Sequence, residues 1–219
     1  MAPLTELCWS TVSPQMQELL NFVGQQSFSQ RFYLAGGTAL ALQLGHRRSV
    51  DLDFFSETDE VTPPTQAEIL AQLAPLKPTV IERAWGHFLM VIGQTQVGFF
   101  AYGYPLLRPT KSVSGLALAD PVDIGLMKLD ALISRAARKD FYDLYFICKT
   151  VTLDDLLALG EQKYCYARDF EVEAVRSLAF FTNADRDVTP NLIEVVTWET
   201  VKSFFRAEAK RLGESWLAE

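Results

Sequence analysis

Two short runs of the chain combine residue types that handle phosphate and metal. The first is Gly36-Gly37-Thr38, which follows the apolar run Phe32-Tyr33-Leu34. Without a Cβ, glycines let the backbone come close to a bulky anion. At the start of a helix, unbonded N–H groups and the helix dipole favour phosphate, and Thr38 adds a hydroxyl donor. The second run is Asp51-Leu52-Asp53, fourteen residues after Gly37. In a strand, side chains at i and i+2 point the same way, about 7 Å apart. Two carboxylates so placed can converge on Mg²⁺, which takes a few carboxylates plus substrate phosphate oxygens. Setting them on a strand whose other residues are apolar is costly without a cation or donors.

Alone, Gly-Gly marks a turn and Asp-x-Asp a solvated strand face. In the order strand, Gly-Gly-Thr, short helix, basic loop, strand with Asp-x-Asp, they become far more specific. The basic loop is Gly45-His46-Arg47-Arg48-Ser49. Arg47 either holds a triphosphate oxygen in bidentate fashion or points to solvent. His46 reads as structural and Arg48 as solvated.

A second charged block follows in Met127–Ile147, with Lys128, Asp130, Arg135, Lys139, Asp140 and Asp143. Lys128 and Arg135 are seven residues apart, two helical turns, so they share a face. Asp140 and Asp143 are neighbours at the start of the next helix, where the dipole favours acids. The block is either part of a site or a solvated face with helix-capping ion pairs.

The elements that position these residues can be read from periodicity. Ser13-Pro14 opens a helix predicted over 14–29. A strand ends at Gly36-Gly37, a short helix runs from Thr38 to Leu44 and closes at Gly45, and a strand covers 50–55. Asp51, Asp53 and Phe55 share one face of that strand; Val50, Leu52 and Phe54 share the other. Thr62-Pro63-Pro64 leads into a helix ending near Leu73. The segment 79–101 reads as two hairpins or a three-stranded meander, and a short strand is expected at 116–118. From Asp120-Pro121 onward the pattern is helical, a long region with Ile124, Met127, Leu129, Leu132 and Ile133 on its apolar side, then helices near 139–149, 153–166, 170–182 and 197–214. Trp85, Trp198 and Phe99-Phe100 read as packing residues. The expected organisation is an α/β part over 1–119 and a helical part over 120–219.

The bulk composition agrees with a globular chain: 219 residues, 49% hydrophobic and 21% charged. A net charge of −7 argues against broad, non-specific nucleic-acid binding. No apolar run reaches the length of a membrane span, and MAPLTELCWS lacks a secretory pattern. Three scattered cysteines fit reduced thiols in a cytoplasmic protein, and two histidines cannot build a His-rich zinc site.

The combination resembles the nucleotidyltransferase superfamily with the DNA polymerase β-like fold, and more closely the AbiEii/AbiGii-type toxin nucleotidyltransferases. The matching residues are Gly36, Gly37, Thr38, Arg47, Ser49, Asp51 and Asp53, then Lys128, Arg135, Lys139-Asp140 and Asp143. The approach Ala119-Asp120-Pro121 is also similar, and the resemblance covers about residues 30 to 150. It implies an α+β fold, a small mixed sheet with helices followed by a helical C-terminal part. It implies Mg²⁺-dependent transfer of a nucleotide from an NTP to RNA, such as a tRNA end, or to a protein hydroxyl. A cognate antitoxin is the implied partner, within a toxin–antitoxin or phage-defence system. Asp51 and Asp53 would hold the metal, Lys128 would neutralise triphosphate charge, and Asp140 would be the acceptor-side base or a further metal ligand. Gly36, Gly37, Thr38, Arg47, Ser49, Arg135 and Asp143 would bind the nucleotide. The chain departs from the pattern at one place. A third carboxylate is expected within Thr95–Ala101, and Gly98 stands in that slot. A non-catalytic nucleotide-binding module and an antibiotic nucleotidyltransferase therefore remain as alternatives.

Overall fold

The computed structural model describes residues 7–216; the N-terminal segment weighed above as a signal lies, up to residue 6, outside them. The chain divides into two compact units, the first ending at Asp120 and the second beginning at Pro121.

The first unit is built on a mixed seven-stranded sheet. Its strands are β1 (Tyr33–Ala35), β2 (Asp51–Ser56), β3 (Thr79–Ala84), β4 (His87–Ile92), β5 (Thr95–Ala101), β6 (Lys111–Val113) and β7 (Leu116–Leu118). Their spatial order is β3-β4-β5-β2-β1-β7-β6. β3, β4 and β5 form the expected meander. β5 then runs parallel to β2, and β1 parallel to β7. Short-range pattern gives no sign of β6, three residues long and largely exposed.

One face of this sheet is the core. Leu34, Phe54, Phe99 and Phe88 lie in one register row and are fully buried or nearly so. Phe28, in a 3-10 turn over Ser27–Arg31, meets the Phe99 ring edge-on at 5.5 Å. Three helices accompany the sheet: α1 (Pro14–Gly24), α2 (Gly36–Leu44) and α3 (Pro63–Leu73). The Ser13 hydroxyl caps α1 by accepting from Met16 N–H. α1 stops at Gly24, short of the predicted residue 29. A Cβ there would lie 1.9 Å from the Ser114 carbonyl oxygen, so the turn before β7 passes directly against the Gly24 backbone.

The second unit is helical: α4 (Pro121–Ser134), α5 (Arg138–Ile147), α6 (Leu153–Lys163), α7 (Phe170–Leu178) and α8 (Trp198–Trp216). Its core gathers Ile124, Leu129, Phe141, Leu144, Leu156 and Phe205. No helix among the described residues is long and apolar enough to cross a membrane. Of the aromatic residues expected to pack, Phe99 does, whereas Trp85 stands 67% exposed at the β3–β4 turn. Val50, read as part of the apolar face of β2, precedes the strand and is exposed.

Candidate active site

Along β2, buried Leu52 and Phe54 alternate with partly exposed Asp51, Asp53 and Phe55, so both acids stand on the sheet face opposite the core. The register sets Asp53 between Ala35 of β1 and Gly98 of β5. Immediately after Ala35 the chain turns at Gly36, whose φ of +64° is a left-handed conformation that favours glycine. A Cβ on Gly36 would lie 3.0 Å from Asp53 Oδ2, so the carboxylate rests against the turn. Here α2 begins, with Ala35 at its N-cap, a residue whose side chain makes no cap hydrogen bond. A helix start beside a carboxylate pair is an arrangement that a metal-bound phosphate can complete.

The structure changes the reading of the second glycine. A Cβ on Gly37 would fall 1.9 Å from Arg47 Nη2 and 3.0 Å from its Cζ. The space that glycine leaves is filled by a guanidinium. Arg47 is buried, and its Nη1 donates to the Arg48 carbonyl at 3.1 Å. It is therefore a built-in cation at the start of α2 and not a solvated loop arginine. His46 is buried as well, and Arg48 is exposed.

Thr38 and Ser49, expected to bind nucleotide, have another job. Both are buried. The Thr38 hydroxyl lies 2.7 Å from Ser49 Oγ and within hydrogen-bonding reach of the Asp51 carbonyl. Ser49 N–H donates to the Thr11 carbonyl at 2.9 Å. These bonds pin the first residue of β2 to the first turn of α2 and so fix where Asp51 and Asp53 stand. The Thr38 hydroxyl is engaged in these bonds, between α2 and β2.

Gly98 occupies the slot of the expected third carboxylate, level with Asp53. A Cβ there would meet Phe100 Cε2 at 2.5 Å, Phe100 Cζ at 2.6 Å and Leu89 Cδ2 at 2.9 Å. The Phe100 ring has folded over the place where an acid would stand. Among the described residues no group of three or more His, Cys, Asp or Glu is arranged to hold a metal. Two carboxylates beside a glycine turn at a helix start still suit Mg²⁺ that arrives with an NTP, because the phosphates supply further oxygens.

In the second unit, Lys128, Asp140, Asp143 and Arg135 come together. Lys128 Nζ is 2.8 Å from Asp140 Oδ1 and 2.7 Å from Asp143 Oδ2. Arg135 grips Asp140 with two donors, Nε at 2.8 Å and Nη2 at 2.9 Å. Both carboxylates are fully buried and Lys128 nearly so, whereas the Arg135 side chain is 56% exposed. The shared face of Lys128 and Arg135 is real, but the block is neither a solvated surface nor an open set of catalytic groups. Burial alone would raise the Asp140 carboxyl. The charges and hydrogen bonds of Lys128 and Arg135 outweigh it and hold the group below its ordinary value. An acid so held, with a cation on each oxygen, makes a poor general base and a poor metal ligand. Lys128, bound by two carboxylates, has little charge left for a triphosphate.

Sequence reasoning missed three features. Lys163 and Asp123 form a fully buried ion pair at 2.9 Å between α6 and α4, forty residues apart with no local signal. Arg138 ties down the segment after α7 by donating to the Ala184 and Asp185 carbonyls and Thr189 Oγ1. The rings beside the acids could have been anticipated, since Phe55 and Phe100 sit two residues beyond Asp53 and Gly98.

Residues 19–95 match the family described as nucleotidyl transferase AbiEii toxin, type IV toxin–antitoxin system, a stretch that holds both glycines, Arg47 and both aspartates. The uncharacterized protein aq_aa25 of Aquifex aeolicus (strain VF5) is 33% identical over 206 residues, covering 92% of this chain and 97% of its own. The chain belongs to the AbiEii nucleotidyl transferase family. Several solved structures share this fold, among them two nucleotidyltransferases of different kinds. The nucleotidyltransferase toxin MenT4 of Mycobacterium tuberculosis matches with a TM-score of 0.53 at 18% identity, covering 88% of this chain and 83% of its own. ANT(2")-Ia, solved with adenylyl-2"-tobramycin, matches with a TM-score of 0.51 at 15% identity, covering 71% of this chain and all of its own. The protein is thus a nucleotidyltransferase of the α+β, polymerase-β-like fold, as the Gly-Gly-Thr and Asp-x-Asp pattern implied.

Proposed function

We propose that the protein transfers a nucleotidyl group from an NTP to a hydroxyl acceptor on RNA, as the toxin partner of a cognate antitoxin, and that the site is the β1–α2–β2 corner. The single observation that supports this most is Asp53 lying against the Gly36 turn, at the start of α2. Asp51 and Asp53 would hold Mg²⁺, which screens the triphosphate and polarises the phosphorus to be attacked. The start of α2 takes phosphate oxygens, and Arg47 supplies a fixed positive charge beside it. Thr38 and Ser49 hold β2 in register with that helix. The acceptor hydroxyl oxygen bonds to the α-phosphorus, the bond to pyrophosphate breaks, and the hydroxyl proton passes to solvent water. Rate enhancement comes from positioning and charge stabilisation. In the second unit, Lys128, Asp140 and Asp143 act as a brace that holds Arg135, in place of the base and triphosphate roles drawn from resemblance.

Asp53→Asn tests the reading, because it removes one charge and nearly keeps the shape. Wild type and variant are incubated with labelled NTPs, Mg²⁺ and bulk RNA, with thermal melts in parallel. The variant is expected to melt as a folded protein and to lose more than the roughly 10- to 100-fold typical of a group one layer behind a metal ligand. Absence of labelled product with all four NTPs, together with absence of Mg²⁺-dependent NTP binding, would overturn it.

A further inference from the structure

On the sheet face that carries the two acids, β5 is the strand beside them. The register sets Gln96 next to Asp51, Gly98 next to Asp53 and Phe100 next to Phe55. In a sheet, residues paired in register point to the same side, so β5 offers the acids an exposed amide, a hydrogen and a phenyl ring. None of the three carries charge. The place beside Asp53 is also closed to a side chain. A Cβ on Gly98 would lie 2.5 Å from Phe100 Cε2, on its own strand, and 2.9 Å from Leu89 Cδ2, on β4. A ring and a methyl group thus meet over the glycine. Asp140 and Asp143 do not make up the loss, because Lys128 and Arg135 already bind them.

These contacts bear on how many ions the acids can hold. Mg²⁺ binds through one or two carboxylates together with substrate phosphates, and Asp51 and Asp53 meet that need for one ion. A two-ion site holds its ions about 3.5–4 Å apart, one on the leaving side and one on the attacking side. The phosphates serve the first of these, whereas the second depends on a protein carboxylate that β5 lacks. Part of the positive charge a second ion would bring is already built in, since the Arg47 guanidinium is buried at the same turn as the Asp53 carboxylate.

We propose that this site takes a single divalent ion, held by Asp51 and Asp53, and that Gly98, Phe100 and Leu89 close it to a second; the proposal rests on the nucleotidyltransferase reading above. The acceptor hydroxyl is then placed by the chain and the NTP, with no ion of its own.

The experiment uses the full chain, a non-hydrolysable NTP at saturation and Mn²⁺ as the probe. Equilibrium dialysis counts bound Mn²⁺, and electron paramagnetic resonance of the same samples reports whether the ions are isolated or spin-coupled. Wild type is expected to bind one Mn²⁺ per bound nucleotide, with the spectrum of an isolated ion. Gly98→Asp combined with Phe100→Ala adds an acid and clears its space, and this double variant is expected to take a second Mn²⁺ and to show the coupling of ions about 4 Å apart. Phe100→Ala alone stays at one ion. Two coupled ions on wild type overturn the proposal and leave the nucleotidyltransferase site in place, a result that needs no variant to fold. A folded double variant that stays at one ion also overturns it, because glycine and ring would then not be what limits the count. Absence of any Mn²⁺ binding that depends on the NTP removes the enzymatic reading itself, and the single ion with it.

Discussion

Gly37→Ala tests what the glycine is for. If the missing Cβ serves a guanidinium, the alanine methyl evicts Arg47, because it would fall 1.9 Å from Nη2. The backbone itself tolerates alanine: among the described glycines Gly37 is not at positive φ, and alanine in a helix gains up to about 1 kcal/mol over glycine. Against that gain stands the buried guanidinium. Losing a hydrogen bond to a charged group costs about 1.5–3 kcal/mol. The net expectation is a destabilisation of about 0.5–2 kcal/mol, a fall in Tm of about 1–8 °C for a chain of this size. In an Arg47→Ala background there is nothing left to evict, so the same glycine change becomes neutral or stabilising by up to about 1 kcal/mol. Thermal and urea melts of the two single variants and the double variant give the coupling. Independent sites agree within about 0.5 kcal/mol, and the value expected here is several times larger. Gly37→Ala that abolishes NTP binding while leaving stability unchanged would refute the argument. It would return Gly37 to the role read from sequence, close approach of the phosphate.

The empty third-carboxylate slot makes Gly98→Asp a destabilising change, by about 1–3 kcal/mol of overpacking against Phe100 and Leu89, and Gly98→Asp with Phe100→Ala should recover much of that in melts; a single variant as stable as wild type would contradict the ring placement. Lys128→Met leaves Asp140 and Asp143 buried with one cation fewer and should cost about 3–5 kcal/mol, so a neutral effect on Tm would remove the brace. Asp140 is held below its ordinary value in the folded state, so it contributes stability above the unfolded pKa of about 4, and that stability is lost as pH falls through the lower folded value. Asp140→Asn should flatten the acid limb of a pH–stability curve, and an unchanged limb would deny the shift. Burial, aided by the nearby Glu208 charge, pushes the Cys148 thiol up to about 12. Alkylation of native protein at pH 8 should therefore spare Cys148 and mark exposed Cys165, as peptide mass mapping would show.

What could be read from the chain was what a few neighbouring residues determine. Alternation around Asp51 and Asp53 gave the strand and its faces, Ser13-Pro14 gave the start of α1, and the turn residues in 79–101 gave the meander. Pairings between distant segments were not legible. The parallel contact of β1 with β7 spans about eighty residues, and nothing local predicts that Ser114 will stop α1 at Gly24. Some helix ends were overestimated: α6 was read to 166 and closes at Lys163. At the site, the identities of the residues were legible but their partners were not, because a glycine announces space without saying what fills it. Gly36, Gly37 and Gly98 receive a carboxylate, a guanidinium and a phenyl ring respectively.

Those three occupants decide how charge is arranged for chemistry. In the second unit two cations face two carboxylates, so Lys128 can offer a triphosphate little without giving up its own partners. In the first unit Arg47 is buried at the same turn as the Asp53 carboxylate, and its charge cannot be titrated away. A charge fixed in place before substrate arrives needs no reorganisation when negative charge develops. Lysine at position 47 would keep the charge but lose the planar fork. On the proposed reading, Arg47→Lys would therefore leave net charge unchanged and still weaken transfer, with kcat falling while the fold persists. Full activity in that variant would show that any positive charge suffices and that the fit of the guanidinium over Gly37 concerns packing alone.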